Sequence, residues 1–125
     1  MRDYKQLKIW EIARKNNKMV YELTEKFPKK ELFSLVDQMR RASVSVMSNI
    51  GEGCGCDSNK EFVRYLRIFM GSIKELECQM YVALDVGYIS KKDFDDIMGR
   101  LDDLGRKLWK YIWYLKNGGG SVNEK

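Results

Sequence analysis

Residues 58–83 read SNKEFVRYLRIFMGSIKELECQMYVA, and this stretch decides the fold. Phe62, Leu66, Phe69, Ile73, Leu76, Met80 and Ala83 recur at alternating four- and three-residue spacing, the seam of a helix that packs lengthwise against others. Ser58 and Glu61 stand in the Ser-x-x-Glu relation of a capping box, which satisfies the free N–H groups of a first helical turn. Gly87 closes the segment as a C-terminal cap. Gly71 and Ser72 interrupt it. A mid-helix glycine costs about 1 kcal/mol relative to alanine, so the pair predicts a close approach by a neighbouring helix.

The same pattern extends to both sides. Downstream, Ser90 is an N-cap with Asp93, Asp95 and Asp96 near the positive end of the helix. Phe94, Ile97, Leu101, Leu104, Leu108, Tyr111 and Leu115 continue the seam. Upstream, Leu32, Leu35, Met39, Ala42, Val46 and Ile50 form a stripe, which Gly51, Gly53 and Gly55 are expected to unravel. The first segment carries Trp10, Ala13, Asn17, Val20, Thr24 and Phe27 on one face, weakened by Asn16-Asn17 and stopped by Pro28. The reading is therefore all-α. Helices over about 4–26, 30–52, 58–87 and 90–116, joined by short loops, must lie antiparallel, which gives an up-down-up-down four-helix bundle over 1–116. Residues 117–125 read as a flexible Gly-rich tail.

Composition narrows the function. The chain has 125 residues, 44% hydrophobic and 33% charged, with a single proline, ordinary for one globular domain. No apolar run approaches the ~20 residues of a membrane helix, and the start MRDYKQLKIW has no secretory h-region. The expectation is a cytoplasmic protein away from membranes. Cys54, Cys56 and Cys78 are an odd count that suits reduced thiols. Histidine is absent, so neither a Cys-His zinc site nor a Glu-x-x-His di-iron site can be assembled. No metal, cofactor or catalytic residue is expected. Net charge is +5. Residues 1–74 hold 15 Lys and Arg against 9 Asp and Glu, whereas residues 75–125 hold 8 against 9. That bias suits a polyanion or an acidic protein partner, and equally a solvated surface.

Residues 39–53, MRRASVSVMSNIGEG, interleave polar and apolar positions behind Arg40 and Arg41. The two arginines have two readings, bidentate pairing with Glu75 or Glu77 on the facing helix, or phosphate contact. Arg41, Asn49, Glu52, Glu61, Glu75 and Glu77 form the expected structural polar network. Gly51-x-Gly53-x-Gly55 follows a helix and lacks the Gly-Lys-Ser/Thr ending, so it is not a phosphate loop. Candidate nucleic-acid contacts are Lys5, Lys8, Lys15 and Lys18 on the first helix, Arg40 and Arg41 on the second, and Arg64 and Arg67 on the third. Arg106, Lys107 and Lys110 add charge to the fourth. Trp109, Ile112, Trp113 and Tyr114 make the end of that helix nearly apolar all round, the expected interface between copies of the chain.

Several stretches resemble a known family. They are Tyr4, Leu7, Ile9-Trp10, Ala13, Tyr21, Leu23-Thr24 and Phe27-Pro28; then Gln38 to Ser45 and Ser48-Asn49-Ile50-Gly51-Glu52-Gly53; then Lys60-Glu61-Phe62, Leu66, Gly71-Ser72-Ile73, Glu75-Leu76-Glu77 and Gly87-Tyr88. Together they resemble the bacterial four-helix-bundle proteins encoded within intervening sequences of 23S ribosomal RNA genes, and are similar to the accessory variability protein of diversity-generating retroelements. The resemblance implies a homopentameric barrel with a central pore and a basic surface for RNA or DNA. In the retroelement branch it also implies a reverse-transcriptase partner. Asn16-Asn17 and Cys54-Gly55-Cys56 depart from the family's usual residues. The functional expectation is a non-enzymatic homo-oligomeric accessory protein that binds nucleic acid without sequence preference. The alternative is a protein-interaction scaffold with no nucleic-acid binding of its own.

Overall fold

The computed structural model describes residues 2–119. A single 3-10 turn over Tyr4–Gln6 precedes α1 (Lys8–Thr24). A second, over Lys29–Glu31, precedes α2 (Leu35–Cys54), which is followed by α3 (Asn59–Asp85) and α4 (Lys91–Lys116). Among the described residues there is no strand. Consecutive helices pack on one another, and α4 closes on α1, so the four antiparallel helices form a ring around one core. Residues 117–119, expected in the tail, cap α4, and 120–125 lie outside the described residues.

The core is the four seams meeting. Every seam residue of α3 is buried, because alternating four- and three-residue spacing holds one stripe on one side of a helix. Ser58 Oγ accepts from the backbone N–H of Glu61 at 3.2 Å, and Ser90 Oγ accepts from that of Asp93 at 3.1 Å. Gly87 takes a φ of +81°. The N–H of Tyr88 then reaches Ala83 O at 2.8 Å and that of Gly87 reaches Leu84 O at 3.1 Å, the paired bonds of a Schellman cap. Gly118 repeats this motif after α4 with a φ of +89°, and there Gly119 N–H donates to Tyr114 O at 2.9 Å.

Four sequence expectations are corrected. The first helix begins at Lys8, because Leu7 is extended and breaks it from the turn before. The second begins at Leu35. Leu32 is half-exposed and Phe33 is 90% exposed, so neither belongs to the core. The glycines do not unravel α2, which runs through Gly51 and Gly53 to Cys54. A Cβ at Gly53 would lie 2.5 Å from the Phe62 ring and 3.1 Å from Tyr65 Cβ, so this glycine lets α3 seat against α2. Gly71 meets nothing within 4 Å, and the close approach is made by Ser72, whose hydroxyl lies 3.0 Å from that of Ser45.

Because Gly71 is helical and open, Gly71→Ala should stabilise the bundle by about 0.5–1 kcal/mol. An unchanged or lower urea midpoint would mean that this side of α3 is covered in solution.

Polar residues tie the helices together. Asn16 and Asn17 each reach a different neighbour: Asn16 Nδ2 donates to Arg100 O on α4 at 3.4 Å, and Asn17 Oδ1 accepts from Ser43 on α2 at 2.8 Å. Tyr88 OH and Ser34 Oγ both donate to Glu31, each at 2.6 Å, pinning the α1–α2 connector to the α3–α4 connector. Those two hydrogen bonds, Ser34's first, hold the Glu31 carboxyl below its ordinary range. At the opposite end Asn59 donates to Leu115 O and Gly119 O at 3.0 Å each, and accepts from Arg2, whose guanidinium lies over the Phe62 ring.

Candidate nucleic-acid interface

Arg40 is committed to structure. Its Nε donates to Thr24 Oγ1 at 3.0 Å and its Nη2 approaches Glu25 at 3.3 Å, while the guanidinium stacks over Tyr21 at 4.5 Å. It staples α2 to the end of α1, and its side chain is only 21% exposed. Arg41 is exposed and pairs within its own helix with Asp37 at 2.9 Å. Neither arginine reaches Glu75 or Glu77, because α2 turns them toward α1 and solvent.

The expected polar network is not one network. Glu75 accepts from Gln79, Glu77 pairs with Lys74, and Glu61 pairs with Arg64. Glu52 is exposed on α2. Asn49 belongs to a different ladder: its amide donates to Ser45 O at 2.8 Å and Ser45 Oγ at 2.9 Å, and Ser45 meets Ser72 across the α2–α3 contact. Ser45 and Ser72 are the partners that sequence reasoning missed. Small polar residues at matched heights on two seams were the available signal.

The lysines expected on the first helix divide, and Lys5 lies in the 3-10 turn before it. Lys5 and Lys15 pair with Asp3 and Glu11 at 3.9 and 3.3 Å. Lys18 lines a groove with Trp10 and Arg14. Lys8 faces the other side, toward Lys107, Lys110 and Tyr114 of α4. These lysines are therefore two separate clusters.

A basic surface that also carries exposed tryptophans lies between α3 and α4. Two adjoining grooves of about 540 and 320 Å³ share Arg67 and Lys116. Lys60 and Arg64 line the first, and Trp109, Lys110 and Trp113 the second. Arg64 is drawn to Glu61 at 3.4 Å. Lys60, Arg67, Lys110 and Lys116 have no carboxylate within 4.0 Å among the described residues. Helical spacing explains the clustering. Lys60, Arg64 and Arg67 recur every three or four residues on α3, as do Trp109, Trp113 and Lys116 on α4, so each set is a stripe. Lys60 and Lys110 stood out in the sequence only as basic residues beside the selected contacts, and Lys116 did not stand out at all. The missing signal was the α3–α4 register, which brings the two stripes together.

Trp109, Trp113 and Tyr114 are 57%, 68% and 49% exposed. Ile112, grouped with them from the sequence, is instead a core residue at 2% exposure, because it continues the buried Leu101-Leu104-Leu108 stripe. The aromatic surface is thus two tryptophans and a tyrosine set among cations. Arg67 stands over the Trp109 ring at 6.0 Å.

Burial pushes the Cys54 thiol up from its ordinary range. A protonated buried thiol is a poor nucleophile and a poor metal ligand. Among the described residues, no three His, Cys, Asp or Glu side chains stand together as a metal site. None of the helices described is long and apolar enough to cross a membrane.

Residues 5–110 match the family model described as 23S rRNA-intervening sequence protein. A crystal structure from Bacteroides thetaiotaomicron, of a protein with unknown function from the S23 ribosomal protein family, superposes with a TM-score of 0.77 at 18% identity. The alignment covers 83% of this chain and 97% of that one. At that identity the likeness is one of fold. No curated protein matches the sequence.

Proposed function

The chain belongs to the 23S rRNA-intervening sequence protein family, and from that premise we propose that it is a non-enzymatic accessory protein whose α3–α4 face binds nucleic acid through its phosphates. The observation that carries this reading is the set of four cations, Lys60, Arg67, Lys110 and Lys116, unengaged by carboxylates among the described residues and lining two adjoining grooves. Lysine and arginine without base-reading geometry give sequence-independent binding. The sequence resemblance extends the proposal to a homopentamer, with a reverse transcriptase as a partner in retroelement relatives. Assembly would multiply modest phosphate contacts by avidity.

Trp109, Trp113 and Tyr114 were expected to join copies. The cations around them favour a polyanion over a second basic face, since like charges brought together repel. The outward side of α2 and α3 offers assembly another surface, where Val44, Ser48, Ile68 and Gly71 are exposed.

Anisotropy titrations with labelled oligonucleotides test the reading. With about four phosphates neutralised, affinity should fall roughly 50- to 150-fold between 50 and 200 mM salt. Arg67→Gln combined with Lys116→Gln should halve the salt slope and weaken all sequences alike. An absence of binding at ~50 mM salt would sink the proposal. The second reading, a protein-interaction scaffold, would then lead, favoured by Phe33, whose ring stands 90% exposed at the far end of the bundle.

A further inference from the structure

We infer that the α3–α4 face is a single-strand site, on which unpaired bases of DNA or RNA stack against Trp113 and Trp109 while the backbone lies along Arg67, Lys110 and Lys116. This rests on the phosphate-binding reading above and adds the form of nucleic acid that the face selects.

Trp113 is 68% exposed and Trp109 57%. Indole surface left in water forgoes a large burial gain, and here it lies within the groove that carries the unengaged cations. Phosphate neutralisation alone needs no aromatic ring. A positively charged groove with aromatic platforms is the arrangement that holds single strands, because every base offers a π-face whatever its identity.

Spacing separates single strand from duplex. Four helical residues rise about 6 Å, so the two indoles are offset by about that much along α4. Bases in a duplex strand are spaced ~3.4 Å along the axis, stacked on one another and closed to side chains. Successive bases can occupy both rings only if the strand is extended and unstacked. Arg67, over the Trp109 ring at 6.0 Å, gives that platform a cationic edge beside the backbone.

Negative charge on this face is paired. Glu61, which lines the first groove, and Asp102, which lines a neighbouring groove with Trp109 and Lys110, pair with Arg64 at 3.4 Å and Arg106 at 3.2 Å. The carbonyl end of α4, which would repel phosphate, is covered at Leu115 by the Asn59 amide.

The test uses the full chain and three probes: a labelled oligothymidylate of about 16 nucleotides, a duplex of equal length, and inorganic polyphosphate. The single strand should bind more tightly than the duplex and quench tryptophan emission. Trp113→Ala should weaken single-strand binding about 5- to 100-fold and leave polyphosphate nearly unchanged, with Trp113→Phe restoring most of the loss. Both rings are exposed, so these variants keep the fold, which circular dichroism checks. Equal affinity for duplex and single strand, unmoved by Trp113→Ala or Trp109→Ala, overturns the stacking inference and leaves the phosphate reading standing. Tryptophan variants that disperse an assembly without changing nucleic-acid affinity overturn it in favour of an interface between copies. No binding to any of the three probes removes the phosphate reading and this inference with it.

Discussion

Phe62→Ala should lower the stability of the bundle by about 3–5 kcal/mol, read as a shifted midpoint in urea unfolding followed by far-UV circular dichroism. The ring is completely buried. It packs edge-on against Tyr111 at 6.0 Å between centroids, lies under the Arg2 guanidinium at 4.4 Å, and fills the space left by the missing side chain of Gly53. Truncation loses the transfer free energy of the ring and opens a cavity between three helices and the N-terminal segment, which other contacts hold in place. Partial collapse of the site would bring the loss to the lower end of that range. A loss below about 1 kcal/mol would mean that α2 and α3 close over the gap, and that the junction is far softer than its burial indicates.

Gly53→Val is the complementary change and should cost about 3 kcal/mol, the upper part of the range for overpacking. A Cβ there already falls 2.5 Å from the Phe62 ring, and the branched side chain adds bulk where Tyr65 Cβ stands 3.1 Å away. Either the ring leaves its rotamer or α3 shifts outward. The two substitutions share one space, so they should not add. Gly53→Val made on top of Phe62→Ala should cost markedly less than in the parent, with a coupling of about 1–3 kcal/mol by double-mutant cycle. Strict additivity would show that the strain is relieved through the backbone rather than through the ring.

That junction also marks where sequence reading succeeds and where it stops. The α3 seam is legible because seven apolar residues at fixed spacing admit one helical face, and the structure buries all of them. Ser58, Ser90 and Gly87 are legible because capping is a local matter of a few atoms. Gly53 was misread because its propensity is local and the reason to keep it is not, whereas Gly51 meets nothing within 4 Å and is simply carried within the helix. The helix continues through Gly53 since its tertiary contact with Phe62 outweighs about 1 kcal/mol of intrinsic preference. Arg40 was misread for the same reason. Which helix a long side chain reaches depends on the rotation of α2 about its axis, which an amphipathic pattern defines only coarsely. Ile112 shows the reverse error: it stands beside the exposed Trp113 and Tyr114, and only its register with Leu101, Leu104, Leu108 and Leu115 reveals that it faces inward.

The candidate site was half legible. Arg64 and Arg67 were named from the sequence as nucleic-acid contacts, and the tryptophans as part of an interface between copies. What could not be read was that α3 and α4 set these two groups side by side, since they stand about forty residues apart and meet only through the antiparallel packing of the helices. Ion pairing was equally hidden. Lys107 looks free on composition, yet it pairs with Asp103 at 2.6 Å, one turn earlier on the same helix. Such exposed pairs add little stability, but they decide which cations are left to meet a ligand.

The Asn59 junction carries a topological consequence. Arg2 and the carbonyls of Leu115 and Gly119 converge on one side chain, so the two ends of the described chain lie beside each other. The opposite end of the bundle holds the exposed connector around Phe33. A circularly permuted chain, joined by a short linker between residues 119 and 2 and opened between 32 and 34, would keep every helix and every seam contact. Cooperative unfolding in such a permutant would show that this architecture is specified by which faces meet, and is indifferent to the order in which the chain visits them.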